Sequence, residues 1–283
     1  MAKQINLAYA ALQNAGDAFN KPLVEKYSGA EVVRAKMYET DMLALGGGLA
    51  NIQYDKSLSK KAAQFIMGKT KGTKPLYVWG SGFLYGNSDA EFYRKNIIIC
   101  ALRGELSRQK VSKILKKEID VPLCDPGLLI DRVYPQTFDK EYKLGIISHY
   151  SESDHPYFSQ IKAQNDNSIV IDITKSPYEV FELISKCEFV VSSSLHGLVF
   201  SDALGIPNLH LKVTDKLGGD GFKFDDYYSS FGVKHICWDA EERTQLPTTQ
   251  NIKDLYQLSF DEVEKKKDAL INSFPKELKN NIK

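Results

Sequence analysis

The sequence predicts an α/β protein of two domains, each built on a largely parallel sheet. Three observations carry that reading. Short apolar runs alternate with amphipathic stretches from end to end, the pattern of βα units. The runs fall into two sets, parted by a polar stretch with neither helical nor strand period. The chain has 283 residues, more than the roughly 100–200 of one ordinary domain.

In the first set, "INLAYA", "EVVRAK", "MLALGG", "PLYVWG" and "IIICAL" are strand candidates, with helices over "NKPLVEKYSG" and "GELSRQKVSKILKKE". The second set holds "KLGIISHY", "SIVIDI", "EFVVSS" and "PNLHLK". Between its strands, "SPYEVFELISKC" reads as a helix with Ser176 as N-cap, Pro177 at the first position and Glu179 closing a capping box. Its buried stripe is expected at Val180, Leu183, Ile184 and Cys187. The polar stretch 131–143, with Pro135, is the expected interdomain connection, which puts the domains at 1–135 and 136–283. A last helical region, about 251–272, has no strand after it and either packs on the second domain or crosses back to the first.

Composition narrows the function classes. Hydrophobic residues make up 43% and charged residues 26%, as in a globular protein. Lys and Arg number 37 against 36 for Asp and Glu, so no basic field points to nucleic acid. Cys100, Cys124, Cys187 and Cys237 lie far apart with no zinc-like spacing, and read as buried thiols in a reducing compartment. No secretory leader and no run of about 18 apolar residues occurs, so a cytoplasmic protein is expected. The mildly basic tail "EKKKDALINSFPKELKNNIK" is either a solvated helix or, at most, a peripheral contact with an anionic membrane.

In open α/β sheets, ligands bind beyond the carboxyl ends of the strands, where helix N-termini present free N–H groups. Four exits then stand out. After the first strand, Gly16 permits a tight turn, Asp17 offers a carboxylate or simply makes that turn, and Asn20 caps a helix starting near Pro22. After "IIIC", Arg103 is suited to a carboxylate or phosphate, or pairs at the surface with Glu105. After "FVV", Ser192, Ser193 and Ser194 can cap a helix that carries His196 in its first turn, favourable for an anion; a capping or core histidine is the alternative. After "PNLHL", Lys212, Lys216 and Lys223 surround a glycine-rich turn. "GGGLA" and "GSG" match neither a dinucleotide fingerprint nor a phosphate-binding loop, and no esterase, zinc-protease or calcium-loop motif occurs. Trp79, Phe83 and Tyr85 either stack on a sugar ring or, for at least two of them, pack in the core. The residues alone give an anion site in a cleft.

Taken in order, "AGDAFNKPLVEKYSG", "VWGSGF", "ALRGELSRQ", "CDPGLL", "LGIISHY" and "SSSLHGLVFSDALGIPNLHLKVTDK" leading to "FKFDDYY" resemble the polysaccharide pyruvyl transferase family. The resemblance implies a GT-B-like fold, two Rossmann-like domains facing across a cleft, with phosphoenolpyruvate as donor and no metal or other cofactor. It implies a glycan acceptor, free or lipid-linked, on the N-terminal side, and phosphoenolpyruvate on the C-terminal side. Leu195 and His196 map to the donor site, with Ser194 and Gly197 beside them, and Arg103 is the match for a basic residue of the first domain. Several family members carry arginine where this chain has Ser194, so Lys212 or Lys223 would supply that charge. Asp17, with Gly16 and Asn20 beside it, is the expected acceptor of the sugar hydroxyl proton, and His196 the acid or a phosphate ligand. A nucleotide-sugar glycosyltransferase of the same fold is the alternative, and an inactive carbohydrate-binding protein a third class.

Overall fold

A computed structural model describes residues 3–10, 14–70, 72–88, 90–214 and 221–280. Lys216 and the glycine-rich turn around it lie outside the described residues. Every apolar run named above forms a strand. The first sheet contains β1 (Gln4–Leu7), β2 (Glu31–Arg34), β3 (Met42–Leu43), β4 (Leu76–Trp79) and β5 (Ile97–Ala101), all parallel, in the order β2-β1-β3-β4-β5. The second contains β6 (Tyr142–Ile147), β7 (Ser168–Val170), β8 (Cys187–Ser192), β9 (Asn208–Lys212) and β10 (Cys237–Asp239), also parallel, in the order β10-β9-β8-β6-β7. Numbered within its own half, the second sheet repeats the order of the first. This is the doubly wound arrangement whose order reverses once, between β1 and β3 and again between β6 and β8, and a crevice opens at each reversal. The chain is thus two Rossmann-like units facing across a cleft, the GT-B-like layout.

Helices α1 (Ala15–Ser28), α2 (Leu58–Thr70) and α3 (Glu105–Leu115) belong to the first half. Helix α4 (Ile130–Val133) follows, then α5 (Pro156–Gln164), α6 (Pro177–Ser185), α7 (Leu195–Ala203), α8 (Phe222–Ser229), α9 (Thr249–Leu255) and α10 (Phe260–Asn272). The capping box of α6 is present, Ser176 Oγ accepting from Glu179 N and Glu179 Oε2 from Ser176 N, but Phe181 takes the buried place expected for Leu183. Helix α1 starts earlier than expected. Its N-cap is Asn14, whose Oδ1 accepts from Gly16 N at 2.9 Å, so Gly16 and Asp17 lie in the first helical turn and Asn20 and Pro22 inside the helix. The expected connection is shorter too: α4 takes its first residues and β6 its last. Cys124 and Cys187 are buried, whereas Cys100 and Cys237 are only half-buried, and all four thiols are free.

The C-terminal segment is two helices rather than one, and it crosses back. Trp79 Nε1 donates to the carbonyl of Leu270 at 2.9 Å, and its ring meets Phe274 edge-on at 5.0 Å. Lys267 is fully buried, donating to Asp131, Glu264 and the Ala203 carbonyl. One face of this segment is spent on the core through Val263, Leu270, Phe274 and Leu278, while Asp261, Glu262, Lys265 and Asp268 on the other face stay exposed. That core cluster joins both halves, with Phe19 of α1 against Phe200 of α7 at 5.6 Å. No helix among the described residues is long and apolar enough to cross a membrane.

On the opposite side the halves are tied by charge. Asp226 of α8 receives Arg103 Nε at 2.9 Å, Ser107 N at 2.7 Å and Ser107 Oγ at 2.6 Å. It thereby caps α3, whose own N-cap, Gly104, has no side chain to do so. A Cβ on Gly104 would stand 1.7 Å from the Asp226 carbonyl oxygen, so only glycine admits the approach. Replacing Asp226 by Ala would leave a buried guanidinium unpaired, at a cost of about 3–5 kcal/mol. We expect Asp226→Ala to lower the melting temperature by on the order of 10 °C, measured by calorimetry; an unchanged value would show that the clamp is dispensable.

Candidate active site

A cavity of about 1140 Å³ lies between the two strand-order reversals. Its walls are strand exits. From the first half come Asn14 and Asp17 after β1, Gly46–Gly48 after β3 and Arg103 after β5; from the second come His149 after β6, Ser194–His196 after β8 and Lys223 of α8. The two crevices thus share one space, and parallel sheets bring their polar exits together without any sequence proximity.

His196 sits in the first turn of α7 and is buried. The ring occupies the space where a Cβ on Gly16 would be, 1.9 Å from its Nδ1, so Gly16 seats the imidazole. Nε2 is buried and has no hydrogen-bond partner among the described residues. Burial, with Lys223 and Arg103 nearby, pushes the imidazole down to about 3, towards the neutral form. Ser194 holds the N-cap position but makes no side-chain cap bond. Ser192 Oγ instead bridges Ser194 N and O, and Ser193 Oγ accepts from His149 N. The serines therefore shape the turn and leave the first N–H groups of α7 for a ligand.

Arg103 is 1% exposed and spends Nε and Nη2 on Asp226 and the Phe83 carbonyl. It is not the surface partner of Glu105, which pairs with Arg108 instead. Its guanidinium lies against Gly82, where a Cβ would be 2.6 Å from Cζ. The glycine loops cradle this group: Gly82 N and Ser81 Oγ both donate to the Gly46 carbonyl. Lys223 forms no hydrogen bond or ion pair among the described residues and lies 5.1 Å over the Phe224 ring. Burial and the Arg103 charge pull its ammonium down to about 8, against the opposing pull of Glu152 and Asp17. Asp17 is raised to about 6 by burial, partly offset by Lys223. A carboxylate and an ammonium are thus both poised near neutral pH on one cavity.

Other expected site residues lie elsewhere. Lys212 donates to Asp239 on β10 at 2.8 Å and does not line the cavity. The β10 run is only three residues long, so its acid was not visible as a strand partner. Gly197 is a packing glycine whose Cβ would meet Ser192 Oγ at 2.3 Å. Asn20 is buried and structural, accepting from Leu45 N and donating to the Asp17 carbonyl. Leu195 does line the cavity. Trp79 and Phe83 are core, while Tyr85 is 43% exposed on the cavity wall. Sequence reasoning missed His149, held near 4 by burial and Lys223, although the strand-exit rule selects it after "GII". It also missed Asp226 and the far arm of the cavity, where Tyr9, Arg34, Lys36 and Tyr38 stand.

Comparison with known proteins gives the following relatives. The chain is 27% identical over 167 residues to the succinoglycan biosynthesis protein ExoV of Rhizobium meliloti, spanning 58% of this chain and half (50%) of that protein. It is 29% identical over 226 residues to an uncharacterized protein of Acanthamoeba polyphaga mimivirus, covering 78% of this chain and 72% of the relative. A crystal structure of an uncharacterized protein from Klebsiella pneumoniae superposes with a TM-score of 0.46 at 13% identity, over 80% of this chain and 87% of that one. The model of the polysaccharide pyruvyl transferase family matches residues 6–215, well over half of the sequence. The chain therefore belongs to the polysaccharide pyruvyl transferase family and is a pyruvyltransferase of polysaccharide biosynthesis.

Proposed function

We propose that this enzyme takes pyruvate from phosphoenolpyruvate and sets it as a ketal on two hydroxyls of a sugar in a polysaccharide or lipid-linked precursor. The convergence of Arg103, Lys223, His196 and the open N-terminus of α7 on one cavity opposite Asp17 carries this reading. The donor has a carboxylate and a phosphate on adjacent atoms. The ammonium of Lys223 and the open terminus of α7 suit those charges, with Arg103 offering its remaining N–H groups beside its Asp226 partner, and no metal is needed on this reading.

The reaction has two bond-forming steps. A sugar hydroxyl adds to C2 of the donor while its methylene carbon gains a proton; a second hydroxyl then displaces phosphate from C2, and its proton leaves with the phosphate. On this reading Asp17 takes the hydroxyl proton. His196 faces the phosphate or delivers the methyl proton once the donor's negative charge favours imidazolium. On this reading residues 136–283 hold the donor, and the first-half arm with Tyr9, Tyr38 and Tyr85 receives the sugar.

Phosphate release from phosphoenolpyruvate, coupled to a ketal product in the mass spectrum, tests the reading across a panel of glycan acceptors. If a nucleotide diphosphate stabilises the protein and phosphoenolpyruvate does not, a glycosyltransferase replaces it. His196→Ala should lower kcat/KM on the order of a hundredfold or more while the circular-dichroism spectrum is unchanged; near-normal turnover removes His196 from the chemistry. Chelation by EDTA should leave phosphate release unaltered.

The pH profile follows from two opposite shifts. Asp17 must be deprotonated, so kcat/KM should fall as pH drops through about 6. Lys223 must be charged, so kcat/KM should also fall as pH rises through about 8. The donor's phosphate itself titrates near 6. The discriminating variant is therefore Asp17→Asn, which should lose the acid limb along with most activity; an acid limb of full height in that variant assigns it to the donor.

A further inference from the structure

Helix α2 carries an apolar stripe on its outward face. Leu58, Ala62, Phe65 and Ile66 follow the i, i+4, i+7, i+8 spacing of an amphipathic helix, yet Leu58 is 84%, Phe65 49% and Ile66 61% exposed. With Tyr54 they line a shallow groove of about 470 Å³. The helix is held from its other side. A Cβ on Gly68 would lie 2.4 Å from the Tyr93 carbonyl oxygen, and Gln64 Oε1 accepts from Asp55 N at 2.7 Å. Residues 55–74 contain six lysines (56, 60, 61, 69, 71 and 74) against one acid, Asp55. Of the helix's own three, only Lys60 has an acid within reach among the described residues, Asp55 at 3.6 Å. The ammonium groups of Lys61 and Lys69 lie over the rings of Tyr54 and Phe65, at 5.7 Å and 4.3 Å.

We propose that α2 docks the first half of the molecule on an anionic lipid surface, with Leu58, Phe65 and Ile66 entering the headgroup boundary and the lysines meeting anionic headgroups. An exposed apolar stripe flanked by lysines, without acids on the helix itself, is the composition of an interfacial helix. A second copy of the chain fits less well, because self-docking would bring the same lysines face to face. Gln64 and Met67 of α2 line the cleft, so the docked face lies about one helix diameter, ~10 Å, from the active site. That this serves a lipid-carried acceptor rests on the proposed function; the docking itself does not.

The full chain is tested by co-flotation with vesicles of phosphatidylglycerol and phosphatidylcholine, without donor or acceptor, so the result is separable from pyruvyl transfer. Wild type should float with these vesicles at low salt, be released at high salt, and not float with phosphatidylcholine alone. Lys60→Gln with Lys61→Gln should weaken binding about fivefold per lysine, and Phe65→Ser with Ile66→Ser should abolish it. Both double variants should keep wild-type phosphate release with a water-soluble acceptor, since none of the four residues lines the cleft. Equal flotation with both vesicle types, or flotation unchanged by the substitutions, overturns the proposal. So does wild-type self-association that the Phe65 and Ile66 substitutions remove, which would assign the stripe to a second copy.

Discussion

The cleft depends on one carboxylate. Asp226 comes from the second half, yet it completes the N-terminus of α3 and neutralises Arg103, both in the first. On one side Lys267 with Asp131 and Trp79 with the Leu270 carbonyl add direction to the apolar packing between α1 and α7, since hydrophobic contact alone is non-directional and would tolerate sliding. A buried, multiply hydrogen-bonded ion pair does not, because shifting it strands a charge. Asp226 therefore fixes the register of the two strand-exit rims, and with it the distances among His196, Lys223, Asp17 and Arg103.

Two glycines let that register close. Gly104 admits the Asp226 backbone and Gly16 admits the His196 ring, each from the opposite half. Both sit in the first turn or N-cap of a helix, where a side chain would otherwise project into the cleft. The chain thus places its smallest residues where the two helix termini and their partners need the same volume. The imidazole of His196 is positioned by an absent side chain as much as by a present one.

Much of this was legible in the sequence. Parallel strands buried on both faces appear as unbroken apolar runs, so even "MLALGG", whose strand is two residues long, stood out. The strand-exit rule found Asp17, Arg103, His196 and Lys223 because it depends on order alone. It failed where tertiary pairing decides. Lys212 follows its strand as Lys223 follows α8's start, but a neighbouring strand presents Asp239 to it. Asp226 lies 123 residues from Arg103, and nothing local distinguishes it from Asp225 beside it. Helix α1 began at Asn14 rather than Asn20 because Pro22 looked like a first-turn proline, and only packing shows that the helix runs through it.

The protonation pattern of the cleft constrains the chemistry further. Burial pushes the Asp17 carboxyl up to about 6 and the His196 imidazole down to about 3, opposite directions for two groups on one cavity. Until donor arrives, the proton available near neutrality therefore belongs to the carboxyl and not to the imidazole. A negative charge at about 4 Å in an effective dielectric of about 20 is worth roughly 4 kcal/mol. A phosphate oxygen beside His196 would thus push the imidazole back up, towards the charged form. Lys223, which with Arg103 depresses the imidazole, is the group that would draw that anion in. On the proposed function, the donor creates the acid that acts on it, and proton uptake must accompany its binding.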